Sequence, residues 1–167
     1  GVALVTGEAG IGKSRLTSEL KQWIGRDPAL ERVRVLEGGC VAYGQSAYDV
    51  FIQVLQGFFG LQFDDSNETR RNKIRARISE LFPAPRAQIE TLPFIELFMG
   101  LPQSENDAAA RIRHLEPVQL RQQTFLAVRD LFVHAARLTP LVVILEDLHW
   151  VDKTSLDLLL FLVNATE

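Results

Sequence analysis

Apolar residues along this chain repeat with two different periods, and the change from one to the other marks its elements. Residues 1–6 (GVALVT) and 141–145 (LVVIL) are short, nearly unbroken apolar runs, the first closed by Gly7 and the second entered directly after Pro140. Such runs are expected of strands buried on both faces of a parallel sheet. Val33, Val35 and Cys40 mark a further strand, with Gly38 and Gly39 near its end. From Lys13 onward Leu16, Leu20, Trp23 and Ile24 recur at helical spacing until Gly25 and Pro28, which predicts a helix with that face turned inward.

Between Cys40 and Leu141 lie about a hundred residues with helical signals and no convincing strand, whereas a bare crossover needs only about a dozen. A mainly helical insertion over residues 41–140 is therefore expected. One of its helices starts at Asp65, Ser66 and Glu68, carries Ile74, Ile78, Leu81 and Phe82 at helical spacing, and stops at Pro83 and Pro85. Another runs from about residue 117 to 138 with Phe125, Val128, Phe132 and Ala135 along one face. Residues 83–85 and 101–107 read as loops between helices. After the run at 141–145, Asp152 is placed to cap a last helix whose apolar face is Leu156, Leu159, Leu160 and Val163. The sum is one α/β domain over residues 1–167 with a mostly parallel sheet.

Composition narrows the class. The chain has 167 residues, 47% of them hydrophobic, which suits one core-forming domain. Eighteen basic and 21 acidic residues leave a formal charge of -3, so there is no positive field to gather nucleic acid or anionic lipid. The longest apolar stretch, residues 158–163, falls far short of the ~20 residues that cross a bilayer. One cysteine, Cys40, makes no internal disulfide and is read as a buried small hydrophobe, in keeping with a reducing, cytoplasmic setting. The chain opens inside an apolar run without an initiator Met or a leader, and both ends read as cuts within a longer protein.

The chemistry sits in two places. Gly7-Glu8-Ala9-Gly10-Ile11-Gly12-Lys13-Ser14 matches G-x-x-x-x-G-K-[ST] between an expected strand and an expected helix. Glycines at 7, 10 and 12 let successive N–H groups turn inward as an anion-binding nest, and the helix start that follows adds its own unpaired amides, Arg15 among them. Lys13 is the expected partner of the β and γ phosphates, and Ser14 of Mg²⁺. The second place is Glu146-Asp147, directly after the run at 141–145, where a carboxylate can face the metal from a neighbouring strand. By alternation the two acids leave the strand in different directions. Glu146 is assigned to the metal through its water shell and Asp147 to the attacking water; the reverse assignment stays open. His149 and Trp150 read as a hydrogen-bonded loop residue and a packing residue.

GEAGIGKSRL together with LVVILEDLHWVDKTSLDLL resembles the ATPase module of the STAND class, signal-transduction ATPases with numerous domains, a branch of the AAA-like superfamily found in large transcription regulators. YGQSAYDVF, FFGL, the helix after Asp65, FMGLP and LRQQTF are similar to the version that follows class III adenylate/guanylate cyclase domains and precedes helical repeats. The resemblance implies a P-loop NTPase fold of the additional-strand kind, truncated here. In that fold a strand following the acidic one inserts between it and the phosphate-loop strand, and the sensor and arginine residues lie outside this chain. It further implies ATP and ADP as ligands, Mg²⁺, nucleotide-dependent self-association, and partners among other domains of the same protein. Glu146-Asp147 departs from the Asp-Asp or Asp-Glu pair common in the class, which fits slow hydrolysis.

Three functions compete: a slowly hydrolysing nucleotide switch, a nucleotide-binding scaffold that never hydrolyses, and a small-molecule phosphotransferase. The last needs an arginine-rich lid, for which Arg70, Arg71, Lys73, Arg75 and Arg77 are the candidates, although their helix reads as presenting them on a solvated outer face. Adenine is favoured over guanine because no N-K-x-D segment occurs.

Overall fold

Parallel strands cannot be joined by a tight turn, so their pairing forces a long excursion of chain between them. In the computed structural model, which describes residues 1–42, 46–102 and 112–165, the two strands β1 (Arg34–Gly39) and β2 (Leu141–Glu146) pair in parallel, Arg34 opposite Leu141 and Gly39 opposite Glu146. The excursion contains helices and no strand among the described residues, chiefly α2 (Asp49–Phe59), α3 (Asn67–Leu81), α4 (Pro85–Phe98) and α5 (Pro117–Leu138). Before β1 comes α1 (Lys13–Arg26), and after β2 comes α6 (Lys153–Asn164). Part of the YGQSAYDVF motif and most of the 101–107 loop lie outside the described residues. No helix among the described residues is long and apolar enough to cross a membrane.

The chain divides into two compact units, Gly1–Val54 with Thr139–Glu167, and Leu55–Leu138. In the first, the N–H groups of Arg34 and Cys40 donate to Pro140 and Glu146, extending the ladder by one residue at each end of β1. Gly39, whose backbone points the other way by alternation, is closed off by the Gln53 carboxamide, which accepts from Gly39 N at 3.1 Å and donates to Gly39 O at 3.0 Å. The start of α2 lies so close to β1 that a Cβ on Gly38 would stand 2.4 Å from the backbone oxygen of Val50. Cys40 is buried, as expected of a small hydrophobe.

Three expectations for this unit are corrected. Residues 1–6 are not a strand; they form no ladder, and Leu4 is 75% exposed. Among the described residues the sheet has two strands only, and an extended run without a ladder partner keeps its backbone groups in water instead of burying them. Secondly, α1 buries only Ile24 of its apolar stripe, leaving Leu16, Leu20 and Trp23 exposed, Trp23 by 58%. Thirdly, α6 buries Ser155 and Leu158 instead of Leu156 and Leu160. Its run of six consecutive apolar residues from Leu158 has no helical periodicity from which a face could be chosen.

In the helical unit, α3 starts as its sequence predicts, with the Ser66 hydroxyl accepting from Thr69 N at 3.1 Å, and buries Ile74, Ile78 and Leu81. α5 turns Phe125, Val128 and Ala135 inward, with Leu131 in place of the half-buried Phe132. These join Leu55, Phe58 and Ile95 in the core, each fully buried large side chain contributing about 1.5–3 kcal/mol. α4 has no clear sequence signature because Pro93 lies inside it. Proline ordinarily ends a helix, but the burial of Ile95 and Phe98 beyond it keeps the helix going.

None of the basic run of α3 is buried, in keeping with a solvated face, and four of its five residues also form ion pairs within this unit. Arg75 and Arg71 bridge to Glu96 at 3.0 and 3.6 Å, Lys73 to Asp65 at 2.7 Å and Arg77 to Glu80 at 2.6 Å. Glu96 is only 5% exposed, and the two guanidinium groups supply the hydrogen-bonding and charge partners that a buried polar side chain requires.

Gly38→Ala is expected to lower stability by about 1–3 kcal/mol, because the added methyl collides with backbone that cannot turn aside as a side chain could. Urea denaturation checks this, and an unchanged midpoint would mean that α2 and β1 are not in close contact.

Candidate functional site

The loop from Gly7 to Ser14 turns into α1 through glycines in conformations other residues avoid, Gly10 at φ 81° and Gly12 at φ 105°. Gly12 is the N-cap of α1 and has no side chain to bond the first-turn amides. Those N–H groups, from Lys13 to Arg15, have no acceptor within the helix and lie at the positive end of its dipole. Lys13 folds back along the loop, its Nζ donating to Gly7 O at 2.9 Å and to Glu8 O at 2.8 Å. An ammonium has three donors, so two bonds to the loop orient the group and leave one hydrogen for an anion.

A cleft of about 630 Å³ opens beside this loop, a size in the range of small-molecule sites. Gly7, Ala9, Gly10, Gly12, Lys13, Ser14 and Arg15 line it from the loop and helix, and Asp147 and His149 from the turn after β2. Of the residues expected at the site, Glu8, Ile11 and Glu146 are not among these walls. Glu8 contributes its carbonyl to Lys13, and Ile11 points its side chain to solvent.

The two acids part where β2 ends. Asp147 takes the left-handed conformation, φ 56° and ψ 38°, which a short polar side chain tolerates better than most. That kink opens the short turn Leu148–Trp150 and sends Asp147 into the cleft. Glu146 turns to α1 instead, where its Oε1 lies 2.6 Å from the Thr17 hydroxyl. One turn further on, Lys21 bridges to Glu37 of β1 at 2.7 Å. Glu37 raises the Lys21 pKa above the usual lysine range, mainly through that hydrogen bond and against the opposing effect of desolvation, and the charges of Glu37 and Glu146 add to it. The face of α1 that meets the strand ends is therefore the polar one, Thr17 and Lys21, and not the leucine stripe.

Asp152 anchors the other side of the turn. Its carboxylate accepts from Ser155 N at 2.9 Å and from the Ser155 and Thr154 hydroxyls, capping α6 as its sequence predicts. Burial works against its charge, but the Ser155 and Thr154 hydroxyls and the backbone N–H groups of Ser155 and Tyr48 outweigh it and hold the carboxyl below the usual aspartate range. The Cys40 thiol is pushed up, first by burial and then by the charges of Asp152, Asp147 and Asp49.

Two residues of this arrangement escape sequence reasoning. Thr17 stands three positions after Ser14 on the same helical face, a spacing that hints at a shared direction but not at a partner. His149, read as a hydrogen-bonded loop residue, lines the cleft and lies against Trp150 with the rings tilted at 46° and their centres 4.9 Å apart. No group of three His, Cys, Asp or Glu side chains that could hold a metal occurs among the described residues. Mg²⁺ carried by a nucleotide does not need one: it keeps waters and phosphate oxygens and takes one or two protein ligands. A serine hydroxyl and an acid in one cleft fit that donor set.

Compared with known proteins, residues 1–167 match the family described as AAA ATPase domain. No curated protein and no solved structure matches the chain.

Asp152→Ala is expected to cost about 1 kcal/mol, the usual worth of an N-cap. Because the folded-state pKa lies below the unfolded one, the contribution is whole above the unfolded value of about 3.9 and is lost as pH falls from there through the folded value. Urea midpoints of wild type and variant should therefore differ at pH 7 and draw progressively closer as pH falls below about 3.9.

Proposed function

The chain belongs to the family of AAA ATPase domains, and from that membership we propose that it is an ATP-binding, slowly hydrolysing switch within a larger signalling or transcription regulator. One observation carries the reading: an amide-rich loop with its lysine and an acid about 130 residues away in sequence line the same cleft. Neither feature alone would specify a nucleotide. Together they supply an anion cradle and, across from it, a carboxylate for a metal or a water.

In this reading the amides of residues 7–15 and the remaining Lys13 hydrogen bind the phosphates, and Ser14 offers its hydroxyl to Mg²⁺. Bound with the nucleotide, Mg²⁺ offsets charge on the phosphate oxygens. Glu146, reaching α1 one turn beyond Ser14, is assigned to the metal's water shell. Asp147, inside the cleft, orients the attacking water and takes its proton as ADP leaves. His149 is placed to touch the ligand from the same wall. Slow turnover suits a switch, in which the bound nucleotide biases the arrangement of neighbouring domains and self-association. A cyclase domain and helical repeats are the neighbours this reading anticipates, in the cytoplasm. A phosphotransferase is less well supported, because three of the four arginines a lid would use, Arg71, Arg75 and Arg77, are paired with Glu96 and Glu80.

Lys13→Ala in the intact protein is expected to weaken ATP binding about 10- to 100-fold, the worth of a charged hydrogen bond; unchanged affinity would remove the phosphate-loop assignment. Asp147→Asn should leave affinity near wild type and slow hydrolysis about 100-fold or more. An equal rate in that variant rejects Asp147 as the residue acting on water, and tight binding without any turnover in the wild type would favour the scaffold.

A further inference from the structure

We propose that Thr17 is a positioning residue, its hydroxyl holding the Glu146 carboxylate on the turn of α1 that follows Ser14 so that the acid is presented to the metal side of the site. The inference rests on the nucleotide-site reading given above and adds a residue to it that lies outside the phosphate-loop motif.

The Thr17 hydroxyl has two acceptors in reach, Glu146 Oε1 at 2.6 Å and the Ser14 carbonyl at 2.9 Å. Threonines inside helices commonly bond a carbonyl in the preceding turn, and such a bond by itself signifies nothing. A hydroxyl has one proton, however, and the shorter contact to the charged oxygen is the stronger bond. The proton therefore goes to Glu146, across 129 positions of sequence. A glutamate has several side-chain torsions to immobilise, and fixing them costs conformational entropy. Thr17 meets part of that cost before any ligand arrives. Lys21 reinforces the arrangement from the next turn: it is bridged to Glu37, and its ammonium feels the Glu146 charge as well. Ser14, Thr17 and Lys21 thus share a helical face with Glu37 of β1 and Glu146 of β2 set against it, and of these three Thr17 is the one that bonds the Glu146 carboxylate.

The test measures binding of a fluorescent ATP analogue to the intact protein, first in EDTA and then over a Mg²⁺ titration, for wild type, Thr17→Val and Thr17→Ser. Thr17→Val keeps the shape and removes the hydroxyl; Thr17→Ser restores it. Expected are wild-type binding in EDTA for both variants, a Mg²⁺ midpoint about tenfold higher for Thr17→Val, and a return toward the wild-type midpoint for Thr17→Ser. In a Glu146→Ala background, Thr17→Val should add no further shift, because the two residues act as one unit. An unchanged or lowered Mg²⁺ midpoint in Thr17→Val overturns the proposal, as does a serine variant that fails to rescue, an additive shift over Glu146→Ala, or loss of metal-free binding. Failure of the nucleotide-site reading looks different: wild type would bind no analogue, or would bind it without regard to Lys13, and the role of Thr17 would fall with it.

Discussion

The parallel ladder between β1 and β2 is the constraint on which the site depends. Residues 34–39 and 141–146 are far apart in sequence, and each ladder bond contributes only about 1 kcal/mol net. Yet their register decides that Glu146 falls opposite Gly39, and therefore that Asp147 is the first residue free to leave the sheet. A slip of one position would exchange the directions of the two acids. The Gln53 carboxamide on Gly39 and the close approach at Gly38 keep β1 from moving.

On that frame the chemistry is divided by direction. The left-handed turn at Asp147 sends one carboxylate toward the loop, while the last residue of the strand sends the other to α1. Strain of the kind Asp147 stores is found where function needs a side chain aimed away from the regular path of the backbone. Asp152 holds the far side of the same turn, spending its hydrogen-bonding capacity on hydroxyls and amides and staying ionised as a result.

The orientation of α1 shows how a polar contact can decide what hydrophobic patterning does not. Leu16, Leu20 and Trp23 form a clear apolar stripe, but they remain exposed, while Thr17 and Lys21 make the contacts to the strand ends. A stripe can be buried only against a surface that offers cover, and the run at residues 1–6, itself exposed, offers none. In the helical unit cover exists, and there the expected faces of α3 and α5 are largely the buried ones.

Local sequence was enough to determine the phosphate-loop motif, the strand leading into Glu146, the caps at Ser66 and Asp152, and the helices that precede β1 and follow β2 in the chain. Each of these is a short-range matter of backbone torsion, periodicity or a hydrogen bond between near neighbours. Tertiary structure alone decided that residues 1–6 stay out of the ladder, that α4 continues through Pro93, that Arg71 and Arg75 of α3 turn to Glu96, and that Thr17 meets Glu146. Those outcomes depend on which surfaces and charges come together from distant parts of the chain, and a pattern read along the sequence contains no distance between such parts.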